Sequence, residues 1–533
     1  MQNLLLLGAE AIAQGAIDGG MSGIYAYPGT PSTEIMEYVQ ASKKAEERSI
    51  HRLWSSNEKT AMESALGMSY AGKRAIVCMK HVGLNVAADA FVNSAITGVN
   101  GGLLVVVADD PSMHSSQNEQ DSRFYGKFAM IPILEPANQQ EAYNMAYKGF
   151  ELSEKFKIPV LLRITTRISH SRAGVETKPI KNMLSGSLPK NPRQFILLPA
   201  IARVNYNNLL ADQDKFVEDA ENSEFNKYID GKDKSLGIIT GGIAYNYLFE
   251  NFDDRIIPHP VLKINQYPIP RKLVEKIKNE CDELLVVEEG APFIEEMLKS
   301  YFNEGTPVHG KLDGFLPRVG ELNPNLVAKS LKLEDTTGDD IPSIVKNRPP
   351  SLCPGCGHRD MYDELNEAMK EYGKGKVFAD IGCYTLGALP PFNAINSCVD
   401  MGASITMAKG ASDAGLIPAV AVIGDSTFTH SGMTGLLDAV NEKAHITVII
   451  SDNSTTAMTG GQNSQGTGKI EAICEGLGVE KEHIRVMIPL KKNFEENVKV
   501  IKEELAYNGV SVIIPRRECV QTLARRMKKL KHK

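Results

Sequence analysis

Short apolar segments rich in β-branched residues alternate with longer helical patterns along almost the whole chain. Alternation of this kind is typical of parallel sheets that are covered by helices. The sequence therefore predicts an α/β fold class. The predicted strands are Arg74–Lys80, Gly102–Asp109, Ile158–Ile164, Leu236–Thr240, Leu284–Glu288, Lys376–Ile381, Ala419–Gly424, Ile446–Ser451 and Val510–Pro515.

Two polar, proline-bearing stretches interrupt this alternation, and we interpret them as linkers. They run from Gly174 to Gln194 and from Leu333 to Ser351. A chain of 533 residues is expected to hold three domains, since a domain takes roughly 100–200 residues. We therefore predict domains at residues 1–185, 195–335 and 350–533.

Charge and hydropathy argue against two classes of protein. The chain has 59 Lys and Arg residues against 65 Asp and Glu residues, a net charge of -6, which argues against nucleic-acid binding. No apolar run approaches the roughly 18–20 residues of a membrane-spanning helix. The run Leu4–Leu7 is too short for a signal-peptide core and has no preceding positive charge. We expect a cytoplasmic protein that binds neither nucleic acid nor membrane.

The cysteines are spaced too widely for a ferredoxin-type cluster motif. Only Cys353 and Cys356 are close in sequence, and no Cys-x-x-Cys-x-x-Cys run exists. We therefore expect no iron–sulfur cluster in this chain and interpret the remaining cysteines as buried thiols. Cys353-x-x-Cys356-Gly-His358 leaves a zinc site open as an alternative, although no second Cys/His pair follows at a suitable spacing.

Polar residues end two neighbouring predicted strands of the last domain. Asp425 follows the strand Ala419–Gly424, and Asn453 follows the strand Ile446–Ser451. The carboxyl ends of parallel strands share one edge of a sheet, where open α/β folds bind their ligands. A carboxylate and an amide oxygen suit Mg²⁺, which takes hard oxygen ligands together with phosphates.

The spacing of these residues matches the motif of thiamine-diphosphate enzymes. In that motif Gly-Asp is followed, one helix and one strand later, by Asn, here Gly424-Asp425 and Asn453, with Ser426 in place of a glycine. In this interpretation Gly424 lets the backbone come close, and a helix beginning near Gly432 points its N-terminus at a phosphate. The alternative is an Asp that caps a helix and an unrelated turn Asn.

Thiamine chemistry also needs a protonatable carboxylate in a mostly apolar pocket, where it hydrogen-bonds N1′ of the pyrimidine ring. The first domain offers Glu58, which follows Trp54-Ser55-Ser56-Asn57 and lies in the first turn of a predicted helix of small residues. The helix dipole favours a carboxylate there. The alternative is purely structural, with Asn57 as the N-cap and Glu58 as the partner of the dipole.

Seven motifs in the first and last domains resemble one known family. They are Tyr27-Pro28-Gly29-Thr30-Pro31-Ser32-Thr33-Glu34, Asn57-Glu58-Lys59, Met79-Lys80-His81-Val82-Gly83-Leu84-Asn85, Asp109–Glu119, Cys353-Pro354-Gly355-Cys356-Gly357-His358-Arg359, Gly424-Asp425-Ser426-Thr427-Phe428 and Asp452–Gly460. They are similar to motifs of the indolepyruvate ferredoxin oxidoreductase alpha subunit, and the resemblance runs from about residue 3 to Cys519. It implies a pyrimidine-binding domain first, a transketolase-C-terminal-like domain in the middle and a diphosphate-binding domain last.

The resemblance also implies roles for single residues. The implied catalytic residues are Glu58, which binds N1′, and His81, which is equally explained as a packed loop histidine. Gly29 and Thr30 approach the substrate carboxylate, with a hydroxyl and free backbone amides that suit an anion, and Asn85 contacts substrate or cofactor. The implied magnesium ligands are Asp425, Asn453 and the carbonyl of Thr455. The residues implied to contact thiamine diphosphate are Glu58, Cys353, Cys356, His358, Cys383, Gly424, Asp425, Ser426, Asn453, Thr455 and Thr456.

The sequence departs from the family at its C-terminal end. Family members commonly continue into a ferredoxin domain with two four-iron clusters, whereas this sequence stops at a basic tail, Arg516–Lys533, with eight Lys and Arg in 18 residues. We therefore expect electrons to pass to a separate ferredoxin-like protein or a beta- or gamma-type subunit. The tail is either a solvated helix end or a docking surface for an acidic electron carrier.

Together, the motifs and the resemblance predict oxidative decarboxylation of a 2-oxoacid that depends on thiamine diphosphate and Mg²⁺ and uses coenzyme A. An arylpyruvate such as indolepyruvate is the expected substrate, while a branched or small 2-oxoacid remains open. Two alternatives also remain, a non-oxidative decarboxylase that releases an aldehyde and a cofactor-binding structural subunit. We expect a homodimer or a heterotetramer, because related thiamine enzymes often build their site across an interface.

Overall fold

The structure is a computed structural model that describes residues 2–301, 306–333, 342–346 and 350–531. The chain divides into two compact units, residues 1–340 and 341–533, and each is described by itself. Most of the predicted linker Leu333–Ser351 and the last two residues of the predicted basic tail lie outside the described residues.

The first unit alternates strands with helices, as the sequence pattern predicts. Its strands are β1 (Asn3–Leu7), β2 (Gly23–Ala26), β3 (His51–Trp54), β4 (Ala75–Lys80), β5 (Leu103–Asp109), β6 (Ile133–Leu134), β7 (Val160–Thr165), β8 (Arg172–Glu176), β9 (Lys227–Ile229), β10 (Leu236–Thr240), β11 (Val261–Lys263), β12 (Gln266–Tyr267), β13 (Glu283–Val287) and β14 (Val308–His309). Its α-helices are α1 (Gly8–Asp18), α2 (Thr33–Ala41), α3 (Lys43–Glu47), α4 (Glu58–Tyr70), α5 (His81–Thr97), α6 (Arg123–Ala129), α7 (Gln139–Phe156), α8 (Thr166–His170), α9 (Pro199–Ala211), α10 (Gln213–Glu221), α11 (Ala244–Phe249), α12 (Arg271–Glu280), α13 (Phe293–Tyr301) and α14 (Pro324–Ser330).

The larger sheet of the first unit has seven strands in the order β12-β6-β7-β5-β4-β2-β3. All neighbours are parallel except β12 and β6. Strands β4, β5 and β7 are buried at every position, as expected for a parallel sheet covered on both faces. Because β12 comes from the middle third of the sequence, a shared sheet joins that third to the first.

The middle third also has a sheet of its own, with five strands in the order β14-β13-β10-β11-β9. Only β9 runs antiparallel to its neighbour. Two fully buried arginines, Arg123 and Arg163, lie between this third and the larger sheet. Arg163 Nε lies 2.6 Å from Asp109 Oδ2 at the end of β5, and Arg123 Nη1 lies 3.0 Å from Glu288 Oε2 just after β13.

The second unit is a single α/β layer structure built on one parallel sheet and a short ribbon. Its strands are β15 (Val377–Ala379), β16 (Ser397–Cys398), β17 (Ala419–Gly424), β18 (Ile446–Ser451), β19 (Thr455–Thr456), β20 (Gln462–Asn463), β21 (Ile484–Met487) and β22 (Val510–Pro515). Its α-helices are α15 (Gly357–Met369), α16 (Ala403–Asp413), α17 (Asp425–Thr427), α18 (Met433–Asn441), α19 (Ile470–Gly476), α20 (Phe494–Ala506) and α21 (Val520–Lys531). The sheet order is β16-β15-β17-β18-β22-β21, all parallel, and β19 pairs with β20.

The predicted α/β class is confirmed, and each of the predicted strands is present with its ends within two residues of the expected positions. The division into three domains stays a prediction, since the first two predicted domains share strands of one sheet. Across the residues that the structure describes, no helix combines the length and apolar character needed to span a membrane.

Candidate cofactor site

The carboxyl edge of the seven-stranded sheet gathers the residues that the sequence singled out in the first unit. Strands β5, β4, β2 and β3 are consecutive and parallel, so they end at one edge. Gly29 and Thr30 follow β2, Glu58 follows β3, His81 follows β4, and the loop 110–119 follows β5. Open α/β sheets bind ligands at this edge.

Glu58 is the first residue of α4 and is only 5% exposed. Asn57 caps this helix, because its Oδ1 accepts a hydrogen bond from the backbone N–H of Thr60 at 2.8 Å. The predicted cap and first-turn position are therefore confirmed. A carboxylate that only balanced the helix dipole would be equally effective in solvent, and burial of a carboxylate is costly. The burial of Glu58 therefore favours a functional role.

The start of α5 is tied to the loop 110–119. His81 is buried, its Nε2 lies 3.2 Å from Asn118 Oδ1, and burial lowers the pKa of the ring. The Lys80 ammonium donates to the Ser115 carbonyl at 2.5 Å, and burial lowers the pKa of Lys80 to about 8. Ser115 Oγ donates to the Thr30 carbonyl at 3.5 Å. A packed histidine and a catalytic histidine both fit this geometry, so the role of His81 stays a prediction.

Two expectations about this edge are wrong. The backbone N–H of Gly29 donates to Thr33 Oγ1 at 3.0 Å, so this amide is not free for an anion. His81 and Asn85 lie on α5 and not on a loop, because β4 runs directly into that helix. The exposed Asn85 accepts a hydrogen bond through Oδ1 from the Tyr125 hydroxyl at 2.6 Å.

In the second unit, the two halves of the predicted motif end neighbouring strands. β17 and β18 pair in parallel with their last residues opposite each other, so Asp425 and Asn453 leave the same edge. The two segments are in contact, since Thr456 Oγ1 donates to Ser426 Oγ at 2.9 Å. The predicted meeting of the two halves at one edge is confirmed.

Asp425 is 2% exposed, and its Oδ2 has no hydrogen-bond partner among the described residues. Burial and, to a smaller extent, the nearby Asp452 carboxylate raise the pKa of Asp425 to about 7. Asn453 Oδ1 accepts a hydrogen bond from the backbone N–H of the buried Thr455 at 3.1 Å. An unpartnered buried carboxylate oxygen is unfavourable, and a bound cation removes that penalty. These oxygen donors therefore fit Mg²⁺.

Helix α18 begins at Met433, beside the expected Gly432, but the helical segment after β17 already begins at Asp425. It continues through a π-helical turn, Phe428–Gly432, into α18. Residues of low helix propensity follow Gly424, and packing overrides that propensity. A Cβ on Gly424 would lie 2.7 Å from Cε1 of Tyr384, so this glycine makes room for an aromatic ring of the same unit.

Four cysteines line one cavity of the second unit, and the same cavity reaches Asn453. They are Cys353, Cys356, Cys383 and Cys519, and each is half-buried. Burial raises the pKa of Cys356, and it raises the pKa of Cys383 to about 12. The neighbouring thiols contribute to both upward shifts of the pKa, in agreement with the shared cavity.

His358 lines the same cavity. It is 3% exposed, its Nδ1 lies 3.1 Å from Cys356 Sγ, and its Nε2 has no hydrogen-bond partner among the described residues. Burial lowers the pKa of His358 to about 4, so the ring is neutral. Within the described ranges, no group of three or more His, Cys, Asp or Glu side chains is arranged to hold a metal ion. Binding of one shared ligand would therefore require these side chains to change rotamer.

Sequence reasoning missed Cys519, because it lies far along the chain from the Cys353–Cys356 pair. The signal that could have found it is positional. Cys383 follows the carboxyl end of β15 and Cys519 follows that of β22, two parallel strands of one sheet. The backbone N–H of Cys519 donates to the Asn453 carbonyl at 3.3 Å, which holds this cysteine beside the strand-end residues.

Comparison with known proteins identifies the family of this chain. The family model for "Pyruvate flavodoxin/ferredoxin oxidoreductase, thiamine diP-bdg" matches residues 14–209, and the model for "Thiamine pyrophosphate enzyme, C-terminal TPP binding domain" matches residues 380–514. The chain is 41% identical to the indolepyruvate oxidoreductase subunit IorA of Methanothermobacter marburgensis, over 97% of this chain and 87% of that protein. The chain belongs to the IorA family.

Other similarities agree with that assignment. IorA of Pyrococcus abyssi is 40% identical over 97% of this chain and 86% of its own length. A solved 2-oxoglutarate:ferredoxin oxidoreductase from Magnetococcus marinus is 16% identical, with a TM-score of 0.50 over 62% of this chain and 65% of that chain. That likeness shows the fold, and the IorA relatives show the family.

Proposed function

We propose that this chain is the thiamine-diphosphate-binding subunit of a 2-oxoacid oxidoreductase that converts an arylpyruvate to an acyl-CoA and CO₂. The IorA relatives, named for indolepyruvate, support the arylpyruvate. The Magnetococcus marinus neighbour was solved with 2-oxoglutarate, coenzyme A and succinyl-CoA bound, which supports coenzyme A as the acyl acceptor. Each turnover also releases two electrons and one proton, so an electron acceptor is required.

The observation that carries this proposal is the buried carboxylate of Asp425, with one unpartnered oxygen, at the strand edge that Asn453 shares. A scaffold that bound no cofactor would gain nothing from a buried, unpaired carboxylate. Asp425, Asn453 and the Thr455 carbonyl would hold Mg²⁺, which would bind the diphosphate of the cofactor.

The residues of the first unit would contact the pyrimidine ring of the cofactor and the substrate. Bound thiamine diphosphate would supply a thiazolium carbon that adds to the 2-oxoacid carbonyl and takes up the electrons left when CO₂ departs. Glu58 would hydrogen-bond N1′ of the pyrimidine ring, a contact for which its buried position at the start of α4 is suited. Thr30 would lie near the substrate carboxylate, although the Gly29 amide cannot contribute to binding it.

The four-cysteine cavity bears on the route of the electrons. The expectation that this chain holds no iron–sulfur cluster stays a prediction, and the gathering of Cys353, Cys356, Cys383 and Cys519 around one cavity weighs against it. Four thiolates are the ligand set of a four-iron cluster. A cluster held there would lie beside Asn453 and so next to the proposed cofactor site.

An acidic electron carrier is supported by the charge beside this cavity. A second depression shares Cys356 and Arg517 with it and is also lined by Arg359, Lys491 and Lys492. Asp360 is the acidic residue of that lining and is paired with Arg517 at 2.6 Å. We propose that a ferredoxin-like protein or subunit receives the electrons, that the assembly is a homodimer or a heterotetramer, and that it works in the cytoplasm.

A product assay tests the reaction. The anaerobically purified chain is given thiamine diphosphate, Mg²⁺ and indolepyruvate, with coenzyme A and an artificial electron acceptor present or omitted. We expect acyl-CoA only when both additions are present. Aldehyde at the same rate without them would replace oxidation by non-oxidative decarboxylation, and no CO₂ under either condition would contradict indolepyruvate as substrate of the chain alone.

The variant Glu58→Gln tests the site in the same assay. Glu63→Gln is its matched control, because Glu63 lies on the same helix, is exposed and pairs with the exposed Lys59. We expect Glu58→Gln to lower turnover at least about a hundredfold, the range of general acid–base catalysis. Unchanged turnover would remove the assignment of Glu58 to N1′.

Two cysteine variants test whether the cavity holds an iron–sulfur cluster. Anaerobic reconstitution with iron and sulfide is compared for wild type, Cys519→Ser and Cys474→Ser, a buried thiol outside the cavity. We expect broad visible absorption in the wild type and Cys474→Ser and a loss of it in Cys519→Ser. No absorption in the wild type would contradict a cluster in this cavity, and the electrons would then pass directly to a separate carrier.

A further inference from the structure

The first turn of α5 passes over the carboxylate of Glu58. A Cβ built on Gly83 would lie 2.6 Å from both Cγ and Oε1 of Glu58 and 2.8 Å from its Cδ. Non-bonded carbon atoms meet at about 3.5–4.0 Å, so no residue with a side chain fits here while the carboxylate keeps its place. Both residues are buried.

The backbone gives no other reason for glycine at this position. Gly83 lies inside α5 and does not have a positive φ. In a helix, glycine is a weaker former than alanine. The feature that requires glycine at position 83 is therefore the space taken by the Glu58 side chain.

The overlap also identifies the atoms that would move. The backbone of α5 follows β4 without a connecting loop and is held by that sheet. The overlapping atoms of Glu58, Cγ, Cδ and Oε1, belong to a side chain that can change its rotamer. A methyl group at position 83 would therefore displace the carboxylate and leave the fold in place.

We propose that Gly83 is a positioning residue that sets the place of the Glu58 carboxylate against the pyrimidine ring of thiamine diphosphate. This inference rests on the proposed function. A misplacement of about 1 Å at a reacting group can cost on the order of a hundredfold in rate. Gly83 thus acts by the space it leaves open, and touches neither substrate nor metal in this role.

A double-mutant cycle in the full chain tests the proposal. Gly83→Ala is made with Glu58 present and with Glu58→Ala, in which the overlapping atoms are gone. Gly67→Ala is the matched control, because Gly67 lies on the same helix as Glu58 and a Cβ there would meet nothing within 4 Å. Affinity for thiamine diphosphate with Mg²⁺ is followed by fluorescence of Trp54, the single tryptophan of the chain.

We expect Gly83→Ala to weaken cofactor binding at least about tenfold and to remove the near-ultraviolet circular-dichroism band of the imino tautomer, with the urea midpoint unchanged. Gly67→Ala should match the wild type. In the Glu58→Ala background, Gly83→Ala should have no further effect. Wild-type affinity and dichroism in Gly83→Ala, or the same loss in both backgrounds, would overturn the proposal.

Two further outcomes distinguish failure of the proposed function from failure of the Gly83 proposal. If the wild type itself does not bind thiamine diphosphate, the proposed function fails, which is distinct from a Gly83→Ala variant that binds normally. If Gly83→Ala loses its fold, the double variant with Glu58→Ala decides. Recovery of the fold there supports the contact between the two residues, and continued loss overturns it.

Discussion

Arg123 and Arg163 in the first unit and Asp425 in the second are buried almost completely, yet their surroundings differ. The two arginines have carboxylates on several sides, with Arg163 Nε 2.6 Å from Asp109 and Arg123 Nη1 3.0 Å from Glu288. Asp425 has a carboxylate, and no cation, among the groups that shift its pKa, and one of its oxygens has no partner among the described residues.

The difference separates structural charge from functional charge. A buried ion pair with its hydrogen bonds satisfied holds segments of the fold together, and its loss acts on stability. A buried carboxylate with an unpartnered oxygen costs stability, so it is retained where a ligand completes it. The arginines join the middle third of the chain to the larger sheet. Asp425 lies at a strand edge, where a bound cation would complete its contacts.

The largest expected effect is on the arginine side of this comparison. Arg123→Met would remove the cation that lies 3.0 Å from the buried Glu288 carboxylate. We expect the free energy of unfolding of the first unit to fall by about 3–5 kcal/mol, measured by urea unfolding. Arg167→Met is the control, since Arg167 is half exposed and pairs with Glu321 at 2.6 Å. The free energy of unfolding of Arg167→Met should fall by no more than about 1 kcal/mol. Equal losses in the two variants would contradict the structural role of the buried Arg123.

In the second unit, we expect Asp425→Asn to weaken cofactor binding without lowering the free energy of unfolding. The amide removes the charge that Mg²⁺ needs, so affinity for thiamine diphosphate with Mg²⁺ should fall about a hundredfold, measured by titration calorimetry. Without cofactor, the free energy of unfolding should be unchanged or higher, because a buried unpaired carboxylate has gone. Asp438→Asn, on the exposed face of α18, should leave both values unchanged. A destabilised Asp425→Asn would place Asp425 with the structural charges.

The smallest expected effect concerns pH. Burial raises the pKa of Glu288 and of Glu289 to about 7, from an ordinary value of 4.5. Between these values the folded chain keeps protons that the unfolded chain has released, so the free energy of unfolding falls as pH rises from about 4.5 to 7. Glu289→Gln removes one of the two groups and should reduce that fall by about 1–3 kcal/mol. An identical pH profile in urea unfolding would contradict the raised pKa of Glu289.

Residue type and short-range spacing predicted the strands and helix starts on which the candidate site residues lie. Strand ends were placed within two residues, because a buried parallel strand is apolar along its whole length. Asn57 was identified as a cap from residue type alone, and the caps of helices depend on local hydrogen bonds. The meeting of Asp425 and the Asn453 segment followed from the strand ends, since parallel neighbours finish at one edge.

The same patterns did not predict several hydrogen bonds, one helix start and the contacts between distant cysteines. The Gly29 amide was expected to be free, but the Thr33 hydroxyl accepts its hydrogen bond. The helical segment that leads into α18 already begins at Asp425, before the predicted start near Gly432, because packing overrides a weak propensity. Cys519 was set aside because cysteine spacing was read along the chain, whereas the four thiols meet in space.

By itself, the sequence determined the α/β class, the strands, the Gly-Asp and Asn motif and the position of Glu58 at the start of a helix. These depend on residue type and spacing over a few turns of chain. Only the tertiary structure decided which buried charges are paired, which thiols share a cavity and why position 83 must be glycine. Those facts depend on distances of a few ångströms between residues far apart in sequence, and only close packing brings such residues together.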